Sequence, residues 1–282
     1  MKDYLNYGGA VCVVSGAGSG IGKATAEILV DLGAAVYTLD VLDCTVPGIK
    51  LHITTDLSVK ASIDQAFLMI PDKIDKFFGI AGVFGQDHDI VTAFTINFIA
   101  NKYMAEEHVI PRLTEGEYGA IAFLSSVGGS RWLQHLDEYK DLAEAETWDD
   151  MVAAIKAKPI EGRAGTDAYE LSKRALNYYI KCRAPGIAHK ENRMNAVAPH
   201  YTETPMLQRM IDDRKAAGLP VEWPSKGAFE RLGKPVDAAK AIVFLNSDMA
   251  VYISGHILYE EGGMQAMIET GRMPVAMDKS TW

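Results

Sequence analysis

Tyr169 and Lys173 are the residues in this chain with the clearest capacity for chemistry. They stand four positions apart, so on a helix both side chains share one face. An isolated tyrosine titrates at about 10, and a lysine ammonium beside it is expected to stabilise the phenolate and lower that value. A phenol tuned in this way takes a proton from an alcohol as hydride leaves, or returns one to a ketone. About 150 residues upstream runs Ser15-Gly16-Ala17-Gly18-Ser19-Gly20-Ile21-Gly22, between an apolar stretch, 11–14, and a helical pattern beginning near Ile21. Glycines at such a turn let backbone N–H groups approach a pyrophosphate, with the positive end of the helix aimed at it. An exposed pair and an empty glycine turn are the ordinary alternatives for either feature alone. In this order the two point to hydride transfer between a nicotinamide and an alcohol or ketone.

Other residues extend that chemistry. Asp40 ends the second predicted strand, 18 residues after Gly22. A carboxylate there can accept both ribose hydroxyls of an adenosine, and it repels a 2′-phosphate. Neither 15–22 nor 38–43 contains an Arg or Lys to neutralise that phosphate, so NAD is expected over NADP. Asp43 is the better candidate for a plain surface turn. Ser126 follows the fifth predicted strand, where its hydroxyl can bond the reacting oxygen; Ser125 is the alternative. Asn97 begins or interrupts a helix. Its amide either holds a water that relays protons towards Lys173 or serves only as a cap.

The elements that must position these groups follow from hydrophobic pattern. Strands are predicted at 11–15, 35–39, 51–54, 76–80, 120–125, 194–197 and 257–259. Helices are predicted at 21–32, with Gly33 as its C′ residue, from a Ser58 cap through Phe67, at 97–113, at 168–181 ended by Pro185-Gly186, and at 236–245. This alternation predicts an α/β fold: a single-domain Rossmann-type doubly wound parallel sheet of about seven strands, with helices on both faces, over 1–282. Such sheets bind ligands outside the carboxyl ends of their strands, where the candidate residues fall. Two segments break the rhythm. A helical insertion is expected near 131–165, since 42 residues separate Ser126 from Tyr169. A segment near 201–231, with Met206, Leu207, Met210, Leu219, Trp223 and Phe229, is expected to form a substrate lid.

Composition narrows the class. A net charge of −9 disfavours nucleic acid and anionic membranes as partners. No apolar run is long enough for a membrane span, and no secretory signal is read at the N-terminus. Cys12, Cys44 and Cys182 are odd in number and scattered, which suits a reducing cytoplasm better than a disulfide framework. The seven histidines have no metal-ligand spacing, so no metal is expected. The acidic run 137–150 reads as a solvated helical face.

Taken together, the motifs resemble the short-chain dehydrogenase/reductase family over nearly the whole chain. The family's glycine turn stands here at 15–22, its acidic adenine contact at Asp56-Leu57, and its Asn-Asn-Ala-Gly element as Gly79-Ile80-Ala81-Gly82. Its catalytic tetrad matches Asn97, Ser126, Tyr169 and Lys173, and its Pro-Gly turn with downstream Thr matches Pro199-His200-Tyr201-Thr202-Glu203-Thr204. The resemblance implies cofactor contacts from Ser15, Gly16, Gly18, Ser19, Gly20, Ile21 and Gly22, and from Asp40, Asp56, Leu57, Ala81 and Gly82. It adds Pro199, Thr202 and Thr204, the last near the carboxamide, together with Tyr169 and Lys173, the latter on the nicotinamide ribose. Within the family the chain is similar to bacterial 3α-hydroxysteroid dehydrogenase/carbonyl reductases, through the long insertion and Thr202-Glu203-Thr204-Pro205. The resemblance implies a homo-oligomer, dimer or tetramer, and the apolar lid favours a bulky apolar alcohol or ketone, such as a hydroxysteroid. Ser15 replaces the usual Thr and keeps its hydroxyl. His200 replaces a Gly, so it is either strained, if that position demands positive φ, or set in a different turn. An aromatic, sugar-derived or dihydrodiol alcohol is the alternative substrate, and a non-catalytic NAD sensor the alternative class.

Overall fold

A computed structural model describes residues 3–84, 88–114, 116–158, 166–218 and 227–272. Its centre is a seven-stranded parallel sheet in the order β3-β2-β1-β4-β5-β6-β7. The strands are β1 (Val11–Ser15), β2 (Ala35–Asp40), β3 (Leu51–Thr54), β4 (Lys76–Gly79), β5 (Ala120–Leu124), β6 (Arg193–Pro199) and β7 (Ile257–Glu260). Successive strand residues point to opposite faces, and both faces are dry. Val13, Ile121, Phe123, Met194 and Ala196 enter one buried core, while Cys12, Val14, Ala122 and Val197 enter the other. That is why these strands read as continuous apolar runs.

Helices α1 (Gly20–Asp31) and α9 (Pro235–Asn246) pack together over the second face. The first face carries α2 (Lys60–Phe67), a long helical run over 90–112, and α7 (Thr166–Ala188). The long run is not uniform. Short α-helical turns, α3 (Ile90–Phe94) and α4 (Ala100–Tyr103), alternate with π-helical turns at Thr95–Ile99 and Met104–Val109. Gly33 follows α1 with φ of 80°, the left-handed C′ geometry expected of it.

Two expectations need correction. Ser58 does not cap α2: its hydroxyl and N–H both donate to Asp56 Oδ1, and Val59 occupies the cap position. Pro185-Gly186 does not end α7, which runs on to Ala188 with Pro185 inside it. Ala184 and Ile187 are buried against the core, and that burial outweighs the hydrogen bond the proline cannot make. The helical insertion holds α5 (Leu136–Glu144) and α6 (Trp148–Ala157); Thr147 caps the second through Asp150 N–H. Lys102 ties the pair to the long run by donating to the carbonyls of Ala143 and Ala145, at the negative end of α5. After β6 comes α8 (Pro205–Ala216), capped by Thr204, and α10 (Met264–Glu269) follows β7. The expected lid residues Leu219 and Trp223, and 159–165 of the insertion, lie outside the described residues.

Candidate active site

Strand order reverses direction at β1, which pairs with β2 on one side and β4 on the other. The crevice this leaves is where the glycine turn sits. Gly16 has φ of 79°, and a Cβ there would lie 2.7 Å from the Ala81 backbone. A Cβ on Gly18 would meet the Asp40 carboxylate at 3.0 Å, and one on Gly22 would fall 2.0 Å from the Gly16 carbonyl oxygen. Gly20 faces Thr204. Ser15 Oγ accepts the N–H groups of Ile80 and Ala81, locking the turn to the end of β4. Asp40 accepts N–H from Gly18 at 2.8 Å and from Leu42 at 2.9 Å. Ser19 sits at the N-cap of α1 in extended conformation, yet its side chain bonds no helical N–H. No side chain caps the first turn of α1, which leaves its positive end available to an anion.

A second cluster lies at the carboxyl end of β5. Ser125 is fully buried and donates to Asn177 Oδ1 at 2.6 Å, so it is spoken for. Ser126 accepts Gly128 N–H and hydrogen-bonds the Tyr169 phenol. Lys173, one helical turn beyond Tyr169, donates to the Leu124 carbonyl at 2.7 Å, with its Nζ 5.5 Å from the phenol ring centre. Asn97 lies in the first π-helical turn and is fully buried. Its amide clamps Val83, accepting the N–H at 2.7 Å and donating to the carbonyl at 2.9 Å, while its own carbonyl accepts from Asn101. The Ala81-Gly82 pair joins the two clusters: Ala81 abuts Gly16 and donates to Ser15 Oγ, while a Cβ on Gly82 would stand 3.1 Å from Asn97 Oδ1 and 3.5 Å from Lys173 Nζ.

Comparison with known proteins agrees with this geometry. The short chain dehydrogenase family model matches residues 10–140, and the enoyl-(acyl carrier protein) reductase model matches 150–265. This chain is a short-chain dehydrogenase/reductase. It is 29% identical over 258 residues to a coniferyl-alcohol dehydrogenase of Pseudomonas sp., covering 89% of this chain and 95% of that one. It is 28% identical over 266 residues to the 3-alpha-hydroxysteroid dehydrogenase/carbonyl reductase of Comamonas testosteroni, covering 92% and 98%. A 3-oxoacyl-[acyl-carrier-protein] reductase of Thermotoga maritima is 27% identical over 279 residues, with 91% and 98% covered. Among solved structures, the 3-alpha-hydroxysteroid dehydrogenase of Pseudomonas sp. B-0831 complexed with NADH superposes with a TM-score of 0.76 at 22% identity, covering 93% and 99%. As a member of this family the chain is an oxidoreductase.

The electrostatics of the corner differ from expectation. Burial, with a smaller contribution from Glu170, outweighs the hydrogen bond with Ser126, and the Tyr169 phenol sits above its ordinary value rather than below it. Lys173 does not reverse this, because burial pulls its own amine down to about 8 and its donor is turned to Leu124. His200 is not strained: it has no positive φ, its N–H donates to the Glu260 carbonyl, and its ring packs edge-on against Tyr201. Burial lowers its pKa to about 4, so it is neutral.

The predicted residues do not all converge. Asp56 holds Ser58 at the end of β3, and Leu57 is buried in the core. Pro199 ends β6, paired with Glu260, and Thr202 bridges Gly233 beyond it. Thr204 caps α8 beside the glycine turn. Three residues escaped sequence reasoning. Phe84 packs on Tyr169 with ring centres 5.4 Å apart, Val83 offers the backbone that Asn97 grips, and Glu170 adjoins the phenol. Only Glu170, a charge beside the tyrosine, left a signal in the sequence.

Proposed function

We propose that this enzyme transfers hydride between NAD(H) and a bulky, apolar secondary alcohol or ketone, a hydroxysteroid being the leading class. The observation that carries the reading is the convergence of Ser126, Tyr169 and Lys173 at the end of β5, joined to the glycine cradle through Ala81 against Gly16 and Gly82 against Lys173. Bound NAD would accept the hydride from the substrate's carbinol carbon. The first turn of α1 and the glycines at 16–22 would hold its pyrophosphate, and Asp40 its adenosine ribose.

The chain's own residues manage the proton. Ser126 orients the substrate oxygen beside the phenol, and Tyr169 takes the alcohol proton or returns it to a ketone. Lys173, buried with its amine lowered to about 8, still carries its proton at neutral pH and in that form favours the phenolate. Asn97 acts as a positioning residue that fixes Val83, and with it the loop carrying Phe84. Thr202 and Thr204 would meet the nicotinamide end, and the segment near 201–231 would close as a lid over the substrate. A cytoplasmic homo-oligomer belongs to the same proposal, on the resemblance alone.

A second reading keeps the chemistry and changes the substrate to an aromatic alcohol. It is favoured by the relative named for coniferyl alcohol and by the aromatic ring of Phe84 on Tyr169. The deciding experiment follows NADH formation from NAD with hydroxysteroids, coniferyl-type alcohols and small cyclic alcohols, for the wild type and Tyr169→Phe. Turnover with at least one bulky alcohol is expected, lost by roughly 10²–10⁴-fold in the variant while NADH binding persists. NAD binding without turnover on the whole panel would instead support a sensor.

A further inference from the structure

The insertion reaches the reacting corner through charge. Arg174, on α7 one turn after Glu170, is nearly buried, with its side chain 10% exposed. Its Nη2 donates to Glu170 Oε2 at 3.0 Å, and its Nη1 donates to Glu138 Oε2 on α5 at 3.3 Å. Glu170 is also largely enclosed, with 15% of its side chain exposed. It shares a neighbourhood with the reacting groups. A Cβ on Gly128 would meet Glu170 Cγ at 3.3 Å, Ser126 Oγ at 3.6 Å and Tyr169 Cε1 at 3.8 Å. We propose that Glu170 is a positioning residue that holds the proton on Tyr169, and that α5 adjusts its strength through Glu138 and Arg174.

The physics is a competition for one guanidinium. A carboxylate beside the phenol opposes formation of a second negative charge there. Arg174 partly neutralises that carboxylate, and Glu138 draws part of the guanidinium away. The other charged or titratable groups around Tyr169 and Glu170 include Lys173 on α7, Tyr201 after β6, and Arg214 on α8, with Tyr201 in the field of both Glu170 and Arg214. Tyr139 on α5 lies in the field of Arg174. Lys173 acts against Glu170, so the phenol's working range reflects both. The assignment rests on Tyr169 being the proton-transfer group of the proposed reaction, but its test does not need a substrate.

The test is the titration of Tyr169 by ¹³Cζ NMR in the whole, tyrosine-labelled protein, with and without NAD, the resonance being assigned by its loss in Tyr169→Phe. Glu170→Gln keeps a hydrogen-bonding partner for Arg174 and removes the charge. It should lower the phenol midpoint by roughly half a unit to one unit. Glu138→Gln should lower it less, and this smaller shift should disappear in the Glu170→Gln background. An unmoved midpoint in Glu170→Gln, a phenol that stays protonated in both proteins up to alkaline unfolding, or a Glu138→Gln shift that survives in the double variant would each overturn the proposal. If the shifts appear but no alcohol is oxidised, the proposed reaction fails and this coupling stands.

Discussion

The glycine cradle at the start of α1 and the reacting corner at the start of α7 are adjacent, yet they are built on opposite principles. In the cradle, function depends on atoms that are missing. Backbone approaches backbone at Gly16 and Gly22, and a single carbon on either has nowhere to go. In the corner, and at His200 beyond β6, the side chains are present but displaced from their ordinary proton affinity: a phenol pushed up, an amine pulled to about 8, a histidine pulled to about 4. Steric demands are all-or-none, whereas electrostatic demands are graded. Mutations should respect that division.

Gly22→Ala carries the largest expected effect, because its Cβ would fall 2.0 Å from a carbonyl oxygen that is part of the turn. NADH affinity measured by calorimetry should drop at least a hundredfold, with a lower melting temperature. Near-normal binding would break the claim that the cradle tolerates no side chain. Next comes His200→Gln, which tests the graded region through pH. A buried neutral histidine binds a proton more readily once unfolded, so its contribution is full above about 6.5 and falls as pH drops towards about 4. At pH 5 the loss in the wild type should be about 2 kcal/mol relative to pH 7.5. Urea melts at the two pH values should show a smaller difference in the variant; an equal difference would assign the acid sensitivity elsewhere. The smallest effect is expected from Asp40→Ala, which touches both principles. Relaxation of the NAD over NADP preference by about tenfold, some 1.4 kcal/mol, is expected in competitive binding, and unchanged selectivity would remove Asp40 from the ribose.

Legibility in the sequence follows the same division. The cradle could be read because its constraint is local: the glycines fall in one octapeptide between an apolar strand and a helix. The sheet could be read because strands buried on both faces leave unbroken apolar runs. Tyr169 and Lys173 could be found because helical spacing alone aligns them. The phenol's charge could not, since it depends on burial and on Lys173 turning its donor to Leu124, neither of which is a property of spacing. Pro185 misled for a related reason: a local rule lost to the burial of Ala184 and Ile187. Ser58 does not cap because its hydroxyl and N–H both turn back to Asp56, a pairing that helix spacing does not reveal. Phe84 and Val83 gain meaning only once Asn97 and Tyr169 are folded against them.

The π-helical turn at Thr95–Ile99 makes the run over 90–112 locally one residue richer than an α-helix of the same rise. That surplus sets the angle at which Asn97 leaves the helix axis. Excising one residue ahead of Asn97 would let the turn relax to ordinary α-helix and would swing the amide by about 100° around the axis, away from Val83. This helix could therefore shorten with its packing largely retained while losing its hold on the loop beside the phenol.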